Sequence, residues 1–329
     1  MKKTEKIKPL FPWVGGKTQI KQEIISRFPF NCENILYIEP FVGGGAVLLD
    51  LLDNNQNFNS IINDINPDII FCYQIVQLSP QKLIKELRQM SESYLDKNKE
   101  ERKSFYLRQR TIFNHIKTTN SQEKKTAYYA ALVIFLIKTG FNGLYRLNSK
   151  KEFNVPHGKK TNPKIFDEQH ILKLSRLLKT TTIKNKNCFD FFDSLLESPK
   201  NTIPQKTLIY LDPPYRPISK TANFTNYFES FTENDQLRLA DYYRKLSDRG
   251  YYLIMSNSFS EDNFFQREYK QFNIHTIYAK RNINCDPSKR GKIKEILITN
   301  YQIPVDPKPD LPREDSPKLS TSNKSATDI

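Results

Sequence analysis

The strongest constraint on this chain is the order of pieces between residues 34 and 64. Residues 34–39 (NILYIE) form a short apolar run suited to a buried strand, and a Gly-rich turn, Gly43-Gly44-Gly45, follows it. Residues 46–52 read as a helix, residues 60–63 as a second strand, and that strand ends at Asp64. Strand, Gly turn, helix, strand and acid in this order belong to a parallel, doubly wound α/β sheet. The chain has only ten glycines, and five of them lie at 15–16 and 43–45, so the turn does not reflect a Gly-rich composition. Further strands are predicted at 207–211 and 251–256, and residues 275–279 and 295–299 read as a closing antiparallel pair.

Different material separates the halves of this sheet. Residues 81–116 are charged, with Leu83, Ile84, Leu87 and Met90 at helical spacing, and 123–138 read as a more apolar helix. Residues 141–156 are rich in Asn, Gly and aromatics and suggest a hairpin or loop. Residues 75–175 are therefore expected to be an inserted, mostly helical domain, with 1–74 and 176–301 forming the sheet domain. Beyond Tyr301 there are no aromatics and five prolines between 304 and 317, so 302–329 are expected to be a disordered tail. There is no internal repeat.

Charge and cysteine usage narrow the function. The longest nearly pure apolar run, 127–137, is too short to span a bilayer and suits a buried helix. The Lys-rich N-terminus meets no signal-type apolar stretch, so a cytoplasmic location is expected and no membrane partner. The four cysteines (Cys32, Cys72, Cys188, Cys285) and four histidines are scattered, which argues against a metal site or a disulfide framework. The net charge is +15; the tail holds four basic and five acidic residues, leaving about +16 on the body. A body that basic suits a polyanion, although a Lys-rich organismal bias is the plainer explanation. Clustering favours the polyanion: 138–164 hold seven Lys or Arg against Glu152 alone, and 280–294 hold six against Asp286 alone.

The Gly43–Gly45 turn lies where a parallel sheet binds ligands, at the carboxyl end of a strand. Asp64, 21 positions after Gly43, is placed to accept hydrogen bonds from ribose hydroxyls. A nicotinamide fingerprint needs a third glycine where Leu48 stands, and a phosphate loop needs Lys and Ser/Thr where Ala46-Val47 stand. A nucleoside without a pyrophosphate fits better, and S-adenosylmethionine is one. Gly15-Gly16-Lys17-Thr18 superficially matches a phosphate loop, but Leu10 or Phe11 stands at the first glycine and no strand precedes it. Two readings stay open there: a plain N-terminal turn, or a lid with Trp13 and Lys17 facing a cofactor.

The sharpest feature is Asp212-Pro213-Pro214-Tyr215, directly after the strand TLIYL. An exocyclic amino group is a poor nucleophile because its lone pair is delocalised into the ring. The Asp212 carboxylate and the Pro213 carbonyl can accept its two hydrogens and favour a more tetrahedral nitrogen. Pro213 and Pro214 stiffen the turn, and Tyr215 offers a face to stack an extruded base. No covalent intermediate is needed, and alignment with oriented acceptors would carry the rate.

These stretches together make the chain resemble the bacterial and phage DNA adenine methyltransferases, above all the GATC-type N6-adenine enzymes, including those of type II restriction–modification systems. The matching segments are FPWVGGK (11–17), EPFVGGGAVLLDL (39–51), INDINPDII (62–70), FNGLYRLNSKKEFNVPHG (141–158), DPPY (212–215) and SKRGKIKEILITNY (288–301), in family order. The resemblance implies an S-adenosylmethionine-dependent methyltransferase sheet with a helical DNA-recognition insert. It implies that Trp13, Lys17, Phe41, Gly43, Gly45, Asp64 and Asp212 bind S-adenosyl-L-methionine, with a further contact from 188–191. It assigns Asp212, Pro213, Pro214 and Tyr215 to catalysis, Arg146 to the first guanine, Asn142 and Leu144 to neighbouring bases, and Pro156 to the hairpin or a base edge. Arg suits bidentate pairing with guanine O6 and N7. Lys150, Lys151, Lys159 and Lys160 flank this segment as phosphate contacts, and 281–292 form a second candidate phosphate tract. The resemblance also implies a monomer acting on double-stranded DNA, either solitary or sharing its site with a restriction endonuclease.

Alternatives are an amino-methyltransferase acting on cytosine N4 or on RNA, and a DNA-binding regulator with an inactive methylase fold. FNGLYRLN argues for duplex DNA, and the intact DPPY, Gly turn and Asp64 argue for an enzyme. A nuclease is disfavoured because no acid–lysine spacing of that kind occurs.

Overall fold

The computed structural model describes residues 6–30, 33–54, 58–119, 122–199, 204, 206–216, 231–280 and 292–303. In chain order the elements are α1 (Lys21–Ile25), β1 (Leu36–Glu39), α2 (Ala46–Asn54), β2 (Asn59–Asn63), α3 (Pro67–Leu78), α4 (Pro80–Leu95), α5 (Lys99–Thr118), α6 (Ala127–Thr139) and α7 (Glu168–Leu177). They continue with β3 (Thr181–Lys184), α8 (Cys188–Glu197), β4 (Thr207–Leu211), α9 (Glu233–Asp248), β5 (Tyr252–Ser258), α10 (Phe264–Glu268), β6 (Asn273–Lys280) and β7 (Lys292–Thr299). The seven strands form one sheet in the order β3-β2-β1-β4-β5-β7-β6. β3 through β5 are parallel, and β7 is antiparallel to both β5 and β6. The expected closing pair is therefore present, and β3 is a strand that composition did not reveal.

The strand order reverses between β1 and β4. Such a switch point opens a crevice at the carboxyl ends of the strands. The Gly turn follows β1, Asp64 follows β2 and Asp212 follows β4, so the topology brings all three to that crevice.

Alternation along the strands feeds two cores. Tyr37, Leu208, Tyr210 and Ile254 face an apolar cluster that runs through Val76, Leu87, Phe113, Phe135 and Leu174 of the helices after β2. Ile38, Ile209 and Leu253 face a second cluster with Phe192, Leu239 and Tyr243. In α6 every residue from Tyr129 to Ile137 is buried, which explains the apolar run as a core helix. The charged stretch is two helices: the Asn98 side chain accepts from Glu101 N while Glu101 accepts from Asn98 N, a capping box that starts α5 afresh. The domain boundaries expected at 74/75 and 175/176 fall inside α3 and α7. The residues after β2 thus add helices to the sheet's own core.

Among the described residues, no helix is long and apolar enough to cross a membrane. Residues 281–291 of the second basic tract, Cys32, Cys285 and the Pro-rich tail from 304 onward lie outside the described residues.

Candidate active site

The turn after β1 is built around contacts that only glycine permits. Gly43 and Gly45 have φ of +45° and +67°. A Cβ on Gly43 would stand 2.6 Å from Trp13 Cδ1, and one on Gly45 would stand 2.8 Å from the Tyr73 hydroxyl. The close approach at this turn therefore comes from the protein itself: Trp13 lies against the backbone, and the Tyr73 hydroxyl donates to Gly43 O at 3.1 Å. Asp64 accepts from Gly43 N at 3.0 Å and from Asn66 N at 2.9 Å, which ties the ends of β1 and β2 together. Burial pushes its carboxyl up to about 6 against the pull of these N–H groups.

At the end of β4, Asp212 is held by two donors. Lys17 Nζ lies 2.7 Å from Oδ1, and Ser256 Oγ donates to the same oxygen at 2.9 Å. Lys17 is only 7% exposed; it also donates to Gly15 O at 2.6 Å and lies 4.5 Å from the Tyr215 ring centroid. Burial raises the Asp212 carboxyl above its ordinary range, while Lys17 and Ser256 oppose the shift. Among the described residues, no donor bonds Asp212 Oδ2 or the Pro213 carbonyl. The Pro214 carbonyl accepts from Gln236 Nε2 at 2.9 Å. The Tyr215 hydroxyl donates to Glu295 Oε2 at 2.8 Å, which fixes the ring. Arg216 closes the motif through Glu233, Asp262 and Ser260.

Trp13, Lys17, Phe41, Gly43, Gly45, Asp64 and Asp212 through Tyr215 all line one cleft of about 1380 Å³. Of the open readings for the N-terminal turn, Trp13 and Lys17 facing this cleft is the observed arrangement. Cys188 and Phe189 line it as well, whereas Phe191 lies in the second core. Sequence reasoning missed Ser256, Glu295 and Glu39. Glu39 is buried, accepts from Tyr37 OH at 2.9 Å and Leu48 N at 3.2 Å, and burial pushes its carboxyl up to about 8. Its place as the last residue of β1 before the Gly turn was the available signal.

Residues 140–157 fold back on themselves as expected, with bridges Leu147↔Phe153 and Gly140↔His157. Asn142 has a φ of +52°, and it is exposed together with Arg146 and Pro156, while Leu144 is half-buried against the core. Arg146 Nε donates to Asn154 Oδ1 at 2.8 Å. Phe141, unflagged in the sequence, is 50% exposed beside them. Tyr145 and Leu147 line the Asp212 cleft, so the exposed hairpin and the motif share one opening. Lys150 and Lys151 line a separate cavity of about 610 Å³ with Lys117 and Lys124. Among the described residues, no group of three or more His, Cys, Asp or Glu could hold a metal ion.

Comparison with known proteins decides what this cleft serves. The family of D12 class N6 adenine-specific DNA methyltransferases matches residues 13–283. The chain belongs to this family. It is an enzyme of adenine-specific DNA methylation. It is 45% identical over 300 residues to the type II methyltransferase M.MjaIII of Methanocaldococcus jannaschii, covering 90% of this chain and 99% of that one. It is 36% identical over 296 residues to the type II methyltransferase M1.LlaDCHI of Lactococcus lactis, covering 90% and 96%. It is 31% identical over 296 residues to the DNA adenine methylase of Escherichia coli, covering 89% and 95%. The methyltransferase thus matches both type II methyltransferases and DNA adenine methylases along nearly their whole length.

Proposed function

We propose that the cleft binds S-adenosylmethionine and an adenine extruded from duplex DNA, and that the enzyme methylates adenine N6 within GATC. The observation that carries this reading is the pair of acceptors that no donor among the described residues bonds, Asp212 Oδ2 and the Pro213 carbonyl, in the cleft that Asp64 and Trp13 also line. The walls fit the cofactor: Trp13, Phe41 and Phe189 are aromatic, and Asp64 and Asp212 are carboxylates suited to hydroxyls and to a cation. When bound, S-adenosylmethionine supplies a methyl group on a positively charged sulfur.

Asp212 and Pro213 hold the two amino hydrogens and draw the nitrogen lone pair out of conjugation. The ring of Tyr215, anchored by Glu295, stacks the base. Held this way, the nitrogen lone pair would face the methyl group that bound S-adenosylmethionine would supply, and the proton that the amino group gives up would pass along its hydrogen bond to the Asp212 carboxylate. Alignment and oriented acceptors carry the rate.

Arg146 reads the first guanine, Asn142 and Leu144 meet neighbouring bases, and Pro156 shapes the hairpin beside a base edge. Residues 75–175 serve as the recognition insert, 1–74 and 176–301 as the catalytic domain, and 302–329 as a tail. The type II relatives support a restriction–modification role, with a cognate endonuclease sharing the site and no stable complex between them. The working form is a cytoplasmic monomer.

Asp212→Ala should abolish methylation and leave DNA binding largely intact; substantial retained activity overturns the assignment. Sequencing modified bases in DNA from cells that express the chain identifies base, atom and site together. A mark on cytosine N4, or at adenines outside GATC, would overturn the corresponding part.

A further inference from the structure

Asp68, in the first turn of α3, is 3% exposed and gathers donors from three separate elements. Tyr129 OH of α6 donates to Oδ1 at 2.7 Å, Lys117 Nζ of α5 reaches Oδ2 at 2.6 Å, and the Tyr145 hydroxyl donates to Oδ2 as well. The Lys117–Asp68 pair is nearly closed to solvent on both sides. A buried carboxylate with a cation and two hydroxyls is satisfied, and its geometry is narrowly defined.

The position of Asp68 gives this arrangement a use beyond stability. Asp68 N donates to the Asn66 side chain at 3.0 Å, and Asn66 N donates to Asp64 at 2.9 Å. Asp64 in turn accepts from Gly43 N, and Gly43 lies under Trp13. Trp13 packs on Tyr145 with ring centroids 6.0 Å apart, and Tyr145 returns to Asp68. The contacts form a closed circuit through Asp64, Asn66, Asp68, Tyr145, Trp13 and Gly43. One side of the circuit is the wall of the cofactor cleft; the other is the residue immediately before Arg146.

We propose that Asp68 is a positioning residue for base discrimination: through the Tyr145 hydroxyl it sets the reading hairpin against the cofactor wall, so that filling the cleft sharpens sequence choice. The ring of Tyr145 is already seated against Trp13 and Phe153, so the hydroxyl adds orientation rather than burial. This inference rests on the proposed role of Arg146 in reading guanine.

The test uses the full chain and two duplexes, one with GATC and one with the first G·C pair replaced. Dissociation constants are measured with and without S-adenosylhomocysteine. Tyr145→Phe keeps the ring and removes only the hydroxyl, and thermal melting verifies that it folds. The expected result is a loss of about tenfold in the affinity ratio between the duplexes, as for one lost hydrogen bond to a charged group, with binding to the replaced duplex unchanged. The strengthening of GATC binding by S-adenosylhomocysteine should shrink too. If the ratio and that strengthening both survive in Tyr145→Phe while Arg146→Ala destroys the ratio, the inference about Asp68 fails and the reading role of Arg146 stands. If Arg146→Ala leaves the ratio intact, the reading role fails, and unchanged cofactor strengthening in Tyr145→Phe overturns the coupling independently.

Discussion

The Lys17 ammonium lies 2.7 Å from Asp212 Oδ1 and 4.5 Å from the centroid of the Tyr215 ring. One cation on the N-terminal turn thus touches both polar ends of a motif almost two hundred residues away. Lys17 and Ser256 hold down a carboxyl that burial pushes up. Removing the ammonium in Lys17→Met should let the Asp212 carboxyl rise further. In the proposed reaction Asp212 acts as an ionised acceptor, so the acidic limb of kcat/KM should move to higher pH. An unmoved limb would show that Asp212 does not titrate in this step.

Tyr215 combines a ring with a hydroxyl bound to Glu295 at 2.8 Å. Tyr215→Phe keeps the stacking face and should lower kcat by less than about tenfold, consistent with one lost hydrogen bond. Tyr215→Ala loses the face and should cost about 1–3 kcal/mol, the range for base–aromatic stacking. Equal losses in single-turnover rates would mean that the hydroxyl, not the ring, matters.

Glu39 gives a stability test. Its folded pKa, about 8, lies above the ordinary 4.5, so the folded state holds a proton that the unfolded chain releases. The stabilisation is fully present below 4.5 and is lost as pH rises through about 8. Glu39→Gln can still accept from Tyr37 and Leu48 and carries no proton linkage. Between pH 5 and 8 the melting temperature of the parent should fall relative to that of Glu39→Gln. Parallel melting curves would exclude a protonated Glu39.

Arg146 is exposed and its Nε donates to Asn154. Arg146→Ala should reduce discrimination at the first guanine by about 1–3 kcal/mol. Lys150→Ala with Lys151→Ala should instead weaken all duplexes alike and reduce the salt slope by about 1–2. A uniform loss in Arg146→Ala would reassign it to a phosphate.

Much of the site was legible because topology did the gathering. Gly43, Asp64 and Asp212 each end a strand at the switch point, and strand ends can be read locally. Trp13 and Lys17 stayed ambiguous because what they touch, Gly43 and Asp212, is distant in the sequence. Ser256 and Glu295 looked like ordinary polar positions within strands, and only the register of β5 and β7 turns them toward the motif. Asp68 was not singled out in the sequence: it is an acid in the first turn of a helix, and nothing local predicts three further donors. The division of 81–116 into two helices turned on the capping box at Asn98 and Glu101, which a continuous charged pattern obscured.

The apolar cluster that joins Tyr37 and Tyr210 of the sheet to Phe113 and Phe135 of the helices after β2 has a practical consequence for recoding this enzyme. A recognition cassette cut out at 75 and 175 would sever α3 and α7 and open a shared interior, so grafting it whole between relatives trades specificity against folding. If residues 141–156 read the bases as proposed, their exposed positions are the ones that could be exchanged without touching that interior.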